Sequence, residues 1–496
     1  MATCSFLSTI LNGDCHDDND HDDGNNTTNN DNNNYKIEVF DSRYIENDDD
    51  DDGTGSITGG GIQLNGGAAV LKRVLTRSNW DEFRTRASRL QGVWARRGLY
   101  DDEEDGDIDG EGVRNVLRLN IRDLFTKADE ARELVDDDGE VHAFTVMRAT
   151  LTSLLIRNVR SLVTTTTDDN IISFKGGVEI TSIDSTSDGL YFLLDSDSNK
   201  HGPYDLIVGG DGVNSVAKRH VNEAIPILGD FIGGKIYSGI RIAYAVARNG
   251  RESKPHSTTG DADAKSVLCQ FFGRGGYALT GTYGNYDMCA LIWGEGSGGK
   301  NNNSKNSEST SDDENASWDA SSKTGEGFLN ICKEKRIPTE LGVERIAKAG
   351  EKFFELGVYF HLPFSPWFRG RVVLVGDACH AMPPFLGQGA NQALQDGYRL
   401  GKVLRRYNEG RSGEDTFEEL VRNEYVRKRR GKTTLITLKS IFIGYLECGY
   451  TPALARFRDA FFYVAGKTGI AAAVFLGGAV PAPNLDEGVD QAIKRI

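Results

Sequence analysis

Paired cysteines are absent from this 496-residue chain. Its seven cysteines stand at positions 4, 15, 269, 289, 332, 379 and 448, with no CxxC pair and no His/Cys cluster at metal spacing. That excludes a zinc-finger type of centre and a thioredoxin type of dithiol. An odd count in a long chain reads as free thiols in a reducing compartment. A basic stripe is missing too: the formal net charge is -16, which argues against nucleic acid as a partner. The opening residues, MATCSFLSTILNGDC, lack a basic stretch and a full apolar core. No secretory signal is read there, and an intracellular setting, cytoplasmic or organellar, is expected. No internal repeat and no Ser/His/Asp triad stands out.

Hydrophobic residues make up 38% and charged residues 26% of the chain. Acidic and polar tracts lower both figures, so the folded part is richer in apolar residues than the average. The acidic runs at 17–31, 48–52 and 101–109 read as solvated tails or loops. Residues 460–480, AFFYVAGKTGIAAAVFLGGAV, are long enough to cross a bilayer, yet contain Lys467 and four glycines and are bordered by Pro481 and Pro483. The segment reads as a pair of buried helices breaking near Gly466–Gly469, with a membrane span and shallow membrane contact as the alternatives.

Along the chain, periodicity predicts a short strand over 35–41 and a helix over 62–75 with Leu64, Val70, Leu71 and Leu75 apolar. It predicts a strand then a turn over 113–124, and a helix over 144–156 with Leu151, Leu154 and Leu155 on one face. Strands crowd 171–210, and the runs KIYSGIRIAYAVA, SVLCQFFG, GYALTGTYG and MCALIWG within 236–295 predict an antiparallel sheet. Polar insertions near 250–265 and 296–325 read as loops, and 414–475 as mostly helical.

The strongest chemical signal is GRVVLVGDACHAMPPFLGQGANQALQDG at 370–397. Val372 to Val375 form a buried strand, Gly376 permits a tight turn, and Asp377 stands at the strand's carboxyl end, where open α/β sheets bind ligands. A carboxylate there can accept hydrogen bonds from a sugar or ribityl hydroxyl. Pro383 leads into Gly387, Gln388, Gly389, Ala390 and Asn391; the two glycines let backbone approach a flat ring or phosphate, and the following helix offers free N–H groups to an anion. A second strand runs into Gly209-Gly210-Asp211-Gly212, with Ser215 beyond. Arg148 opens an R-x-x-L-x-x-x-L helix, a pattern that a surface arginine on an amphipathic helix shares. The strand IEVFDSR ends on Asp41 and Arg43.

Together these segments resemble the flavoprotein monooxygenase family of p-hydroxybenzoate hydroxylase and zeaxanthin epoxidase. The resemblance implies an α/β (α+β) fold: a Rossmann-like FAD-binding domain of the p-hydroxybenzoate hydroxylase type, an inserted antiparallel-sheet substrate domain and C-terminal helices. On that pattern, 35–225 and 353–410 form the FAD domain, 226–352 the β-rich substrate domain and 411–496 a helical region, after a low-complexity stretch over 1–34. The implied cofactor-binding residues are Asp41, Arg43, Arg148, Asp211, Gly212, Gly376, Asp377, Pro383, Gly387, Gln388, Gly389, Ala390 and Asn391. The implied chemistry is oxygenation of a small organic, aromatic or isoprenoid substrate, with FAD as cofactor and NAD(P)H as reductant. No metal and no particular catalytic side chain is implied; His380 and Cys379, inside the motif, read as hydrogen-bonding and packing residues. Lys218 stands where the family has arginine, with Arg219 adjacent, which weakens the expectation for the pyridine nucleotide. The WxWxIP string of flavin halogenases is absent.

The family's first element, a strand followed by GxGxxG, does not precede Tyr35, and CSFLSTILN at 4–12 reads as a remnant of the helix that follows it. Without that loop the pyrophosphate loses a helix-terminus site. The alternative expectation is therefore a non-catalytic or truncated remnant of the fold that binds FAD weakly.

Overall fold

The computed structural model describes residues 36–42, 59–98, 113–128, 131, 134–135, 139–163, 172–223, 234–250, 265–295, 324–339, 342–408, 410 and 416–479. The expectations for 1–34, Arg43, the acidic runs and the interiors of the two insertions lie outside these residues.

A nine-stranded sheet dominates. Its order runs Lys352–His361, Lys235–Arg248, Tyr286–Gly294, Gly276–Tyr283, Lys265–Phe272, Ser88–Gly98, Phe144–Met147 and Gly61–Leu64, and Val113–Asn120 also pairs with Ser88–Gly98. The predicted antiparallel sheet is its central part, but the sheet is mixed: Lys265–Phe272 runs parallel to Ser88–Gly98. It also takes strands from 61–147 and 352–361, so it crosses the boundaries expected near 225 and 353. The parallel layer is smaller. Ile37–Asp41 lies beside Ile172–Gly176, and Ile207–Gly209 beside Val372–Leu374. The latter strand is buried along its whole length, as an all-branched apolar run in a parallel sheet should be.

Two predicted helices begin as strands. Asn65 caps the helix Gly66–Val74 by accepting a hydrogen bond from the Gly66 amide, so Gly61–Leu64 lies ahead of the cap and is extended. It pairs antiparallel with Phe144–Met147, and only at Arg148 does the helix Arg148–Val163 begin. Each four-residue strand is too short to show its period, and its partner is some eighty residues away, so helical spacing in the neighbouring residues obscured both. The 113–124 segment is a strand that runs into a short helix, Ile121–Thr126.

The C-terminal helices are Arg427–Cys448, Pro452–Thr468 and Ile470–Ala479. The break falls at Gly469, whose φ is +78°, and bends the chain by 81°. Among the described residues no single helix is long and apolar enough to cross a membrane.

One buried charge ties the layers. Asp396, fully buried on the helix Gly389–Asn408, accepts from the Gly376 amide at 3.0 Å and shares a 2.6 Å hydrogen bond with His380 Nε2. Its other oxygen accepts from Arg429 Nε at 2.8 Å, and the same guanidinium bonds the side chains of Gln395 and Gln392. Burial alone would raise the Asp396 carboxyl, but the pull of His380 and Arg429 and their hydrogen bonds outweigh it and hold it below its ordinary value of 3.8. An Asp396→Ala substitution strands a buried arginine and should cost about 3–5 kcal/mol in urea denaturation at pH 7. A carboxyl held below its unfolded value stabilises above that value and ceases to do so as pH falls through the folded one. The deficit of the variant should therefore shrink below pH 3.8.

Candidate functional site

The two glycine–aspartate motifs, far apart in sequence, meet at the carboxyl ends of adjacent strands. Gly209 pairs with Leu374, and the Val375 amide donates to the Gly209 carbonyl at 2.9 Å. Gly376, at φ +58°, turns the chain so that Asp377 begins a helical turn with its side chain exposed. No hydrogen bond or ion pair engages the Asp377 carboxylate among the described residues. Nothing but that carboxylate approaches a Cβ built on Gly389, and then only at 3.9 Å, so acceptor and helix start share open space.

The loop between them is held from behind. Asn391, fully buried, accepts from the amides of Asn65 (2.9 Å) and Gly67 (2.8 Å) and donates to the carbonyls of Gln63 and Gly387, both at 2.9 Å. Pro383 offers its carbonyl to the Ser440 hydroxyl at 2.7 Å. Gly387 sits at φ +62° with Gln63 against it. Gln63 Nε2 is buried without a hydrogen-bond partner and belongs to a residue that lines the cavity. Arg148, at the start of its helix, is exposed and its guanidinium has no partner among the described residues; its backbone amide donates to the Gly60 carbonyl.

These groups open onto one cavity of about 590 Å³. Of the residues expected to bind cofactor, Arg148, Gly212, Gly376, Asp377, Gly387, Gln388, Gly389 and Ala390 line it. Asn391 and Pro383 do not; their polar atoms are spent on protein, and they position the loop. Asp211 is diverted as well. Its carboxylate takes the Ser215 hydroxyl and the amides of Val216 and Ala217, capping the helix Val216–Asn222. Asp41 ends its strand beside Gly176 and lies outside the cavity. Lys218 turns inward, donating to Ser365 Oγ and the Cys379 carbonyl, with burial pulling its ammonium down to about 8; Arg219 is the exposed cation at that point. His380 and Cys379 are buried, and His380 hydrogen-bonds Asp396.

Sequence reasoning pointed to the 236–295 strands and the apolar C-terminal helices as the substrate's surroundings but singled out none of Gln63, Tyr244, Gln270, Tyr277 and Glu447, all on the cavity wall. Only Gln63 carried a signal, as the polar residue of an apolar GIQL strand.

The chemistry of the lining fits FAD: an unpaired carboxylate for ribityl hydroxyls, helix-start amides and a free guanidinium for phosphate, an orphaned amide donor and close-approach glycines for a flat ring. Residues 360–431 match a family described as FAD binding domain. A chloroplastic zeaxanthin epoxidase from Prunus armeniaca is 24% identical over 309 residues, 59% of this chain and 39% of that protein. The chain thus spans about two fifths of that relative's length. The Pseudomonas aeruginosa structure titled PqsL in complex with 2-aminobenzoylacetate superposes with a TM-score of 0.57 at 14% identity, covering 93% of this chain and 96% of the other. Klebsiella pneumoniae HpxO complexed with FAD and uric acid superposes at 0.55 and 15% identity, covering 85% and 88%. The fold is that of FAD-binding hydroxylases. By motif, family match and fold, the chain is similar to FAD-dependent monooxygenases related to aromatic-ring hydroxylases, and its residues 360–431 match an FAD binding domain.

Because Asp377 is exposed and has no side-chain partner among the described residues, an Asp377→Ala variant should keep its melting temperature. Its FAD affinity should fall by about tenfold to a hundredfold, as befits a lost charge-assisted hydrogen bond, read by flavin fluorescence titration.

Proposed function

We propose that the protein is an FAD-dependent monooxygenase that uses NAD(P)H and dioxygen to hydroxylate or epoxidise a small, largely apolar aromatic or isoprenoid molecule. The observation that carries this reading is continuity. Asp377, Arg148 and Gly387 line the same space as Leu268, Ile292 and Phe462. A flavin held by the first group would face a substrate held by the second. FAD bound there would supply the redox chemistry between NAD(P)H and dioxygen. The chain's own part is to place and to exclude. Asp377 and Arg148 hold the cofactor, and the backbone of 387–390 fixes its approach. The sheet face and the helices of 427–479 keep water from the reacting atoms.

Purified protein should be yellow, with a bound-flavin absorbance spectrum, and its NADPH oxidation should rise when a substrate is added. A colourless protein that cannot be reconstituted with FAD would sink this reading and leave the fold-retaining, non-catalytic one.

The C-terminal helices also support docking on an anionic bilayer surface. Leu435, Leu438, Phe442 and Tyr445 form one exposed stripe, and Phe457, Tyr463, Val464 and Ile470 expose another apolar group. Phe442 and Phe457 both pack on Phe461, which itself lines the cavity, so the outer face and the inner wall share a side chain. Residues 427–479 carry nine basic side chains, two of them (Arg429 and Arg458) buried, and two acidic ones, both buried, in a chain of net charge -16. A basic amphipathic face suits anionic headgroups and would let an apolar substrate enter from the membrane. The protein should cosediment with phosphatidylglycerol-containing vesicles and not with phosphatidylcholine alone. Replacing Phe442 and Tyr463 by serine should weaken that binding several-fold; unchanged binding would refute the surface.

A further inference from the structure

The cavity wall carries a second carboxyl besides Asp377. Glu447, in the last turn of the helix Arg427–Cys448, is 3% exposed and lines the cavity among apolar residues such as Leu279, Ile292, Ile443 and Phe462. Its Oε1 accepts from Gln270 Nε2 at 2.9 Å and its Oε2 from the Tyr277 hydroxyl at 2.6 Å. Gln270 and Tyr277 stand on the paired strands Lys265–Phe272 and Gly276–Tyr283 and line the same space.

Both partners are neutral. The buried cation nearby, Arg458, is engaged elsewhere. Its Nε donates to Asp459 Oδ1 at 2.8 Å, and its Nη1 to the backbone carbonyls of Gly273 and Glu447. Among the described residues the Glu447 carboxyl is therefore buried without a salt bridge. Burial pushes it up to about 7, against the hydrogen bonds from Tyr277 and Gln270 and the weaker pull of Arg458. A carboxylate offers about four acceptor positions, and two donors leave about half of them open. A buried carboxyl without a counter-ion costs stability, and such costs concentrate where a ligand is handled.

We propose that Glu447, braced by Gln270 and Tyr277, is the polar anchor of the substrate. It accepts a hydrogen bond from a hydroxyl or amine group carried by an otherwise apolar molecule in the cavity. The inference rests on reading the cavity as the substrate site. It adds that the substrate carries a hydrogen-bond donor.

The test uses the full chain with 4-phenylphenol and biphenyl as probes, binding read by intrinsic fluorescence quenching and flavin content by absorbance in the same samples. At about pH 8.5, above the Glu447 value of about 7, wild type should bind 4-phenylphenol about tenfold more tightly than biphenyl, as a hydrogen bond to a charged acceptor predicts. Glu447→Leu should erase that preference and leave biphenyl binding within about twofold, since apolar contact remains. The near-isosteric Glu447→Gln, which guards against a folding defect, should erase most of it. A preference that survives in either variant, or a wild type that binds neither probe or does not discriminate, overturns the inference. Flavin-loaded protein without discrimination refutes only this anchor. Discriminating protein that takes up no flavin refutes the monooxygenase reading and leaves the anchor standing.

Discussion

The whole cofactor side of the molecule hangs on the buried carboxylate of Asp396. A charge with no exposure is tolerated only when its lone pairs are filled and its field is answered. Here the answers come from three different elements: the Gly376 amide at the strand end, His380 in the turn that follows, and Arg429 on a C-terminal helix. Satisfying one carboxylate thus fixes the turn in which Asp377 stands. Asp377 faces open space because its neighbours on either side are committed inward.

Asn391 does for the following loop what Asp396 does for the turn. Its side chain joins the glycine-rich loop to the strand Gly61–Leu64 and to the cap of the next helix, across 328 residues of sequence to Gln63. Two polar side chains, neither touching the cavity, therefore decide how the cavity's cofactor end is shaped. Its other end is built differently, from one sheet face and from helices whose outer surfaces are apolar. Phe461 belongs to both surfaces, packing on Phe442 and Phe457 outside and lining the cavity inside.

Much of this was legible in the residues. The strand at 372–375 and its glycine–aspartate turn, the helix after Gly389, and the crowded strands of 236–295 all follow from local composition and period. Other assignments failed for reasons of the same physical kind. Gly61–Leu64 and Phe144–Met147 are extended because they pair with each other, and distant pairing leaves no trace in a short window. Asp211 looks like a ligand contact in sequence, yet a carboxylate five residues before a helix start finds the Ser215 hydroxyl and two free amides. Asn391 and Pro383 lie in the right motif but serve as its fastening.

Taken alone, the sequence determined the class of fold and pointed to FAD and to the segment around Asp377. A buried branched strand, a permissive glycine and a terminal aspartate are local requirements that the chain must satisfy wherever they fall. Only the tertiary structure decided which of those polar groups remain free. That choice depends on partners contributed by 61–67, 144–148, 215–217 and 427–447, and hydrogen-bond capacity is finite. Among the described residues, Asp377 and Arg148 are left without a side-chain partner, Glu447 is half satisfied, and Asp211, Asp396 and Asn391 are fully consumed.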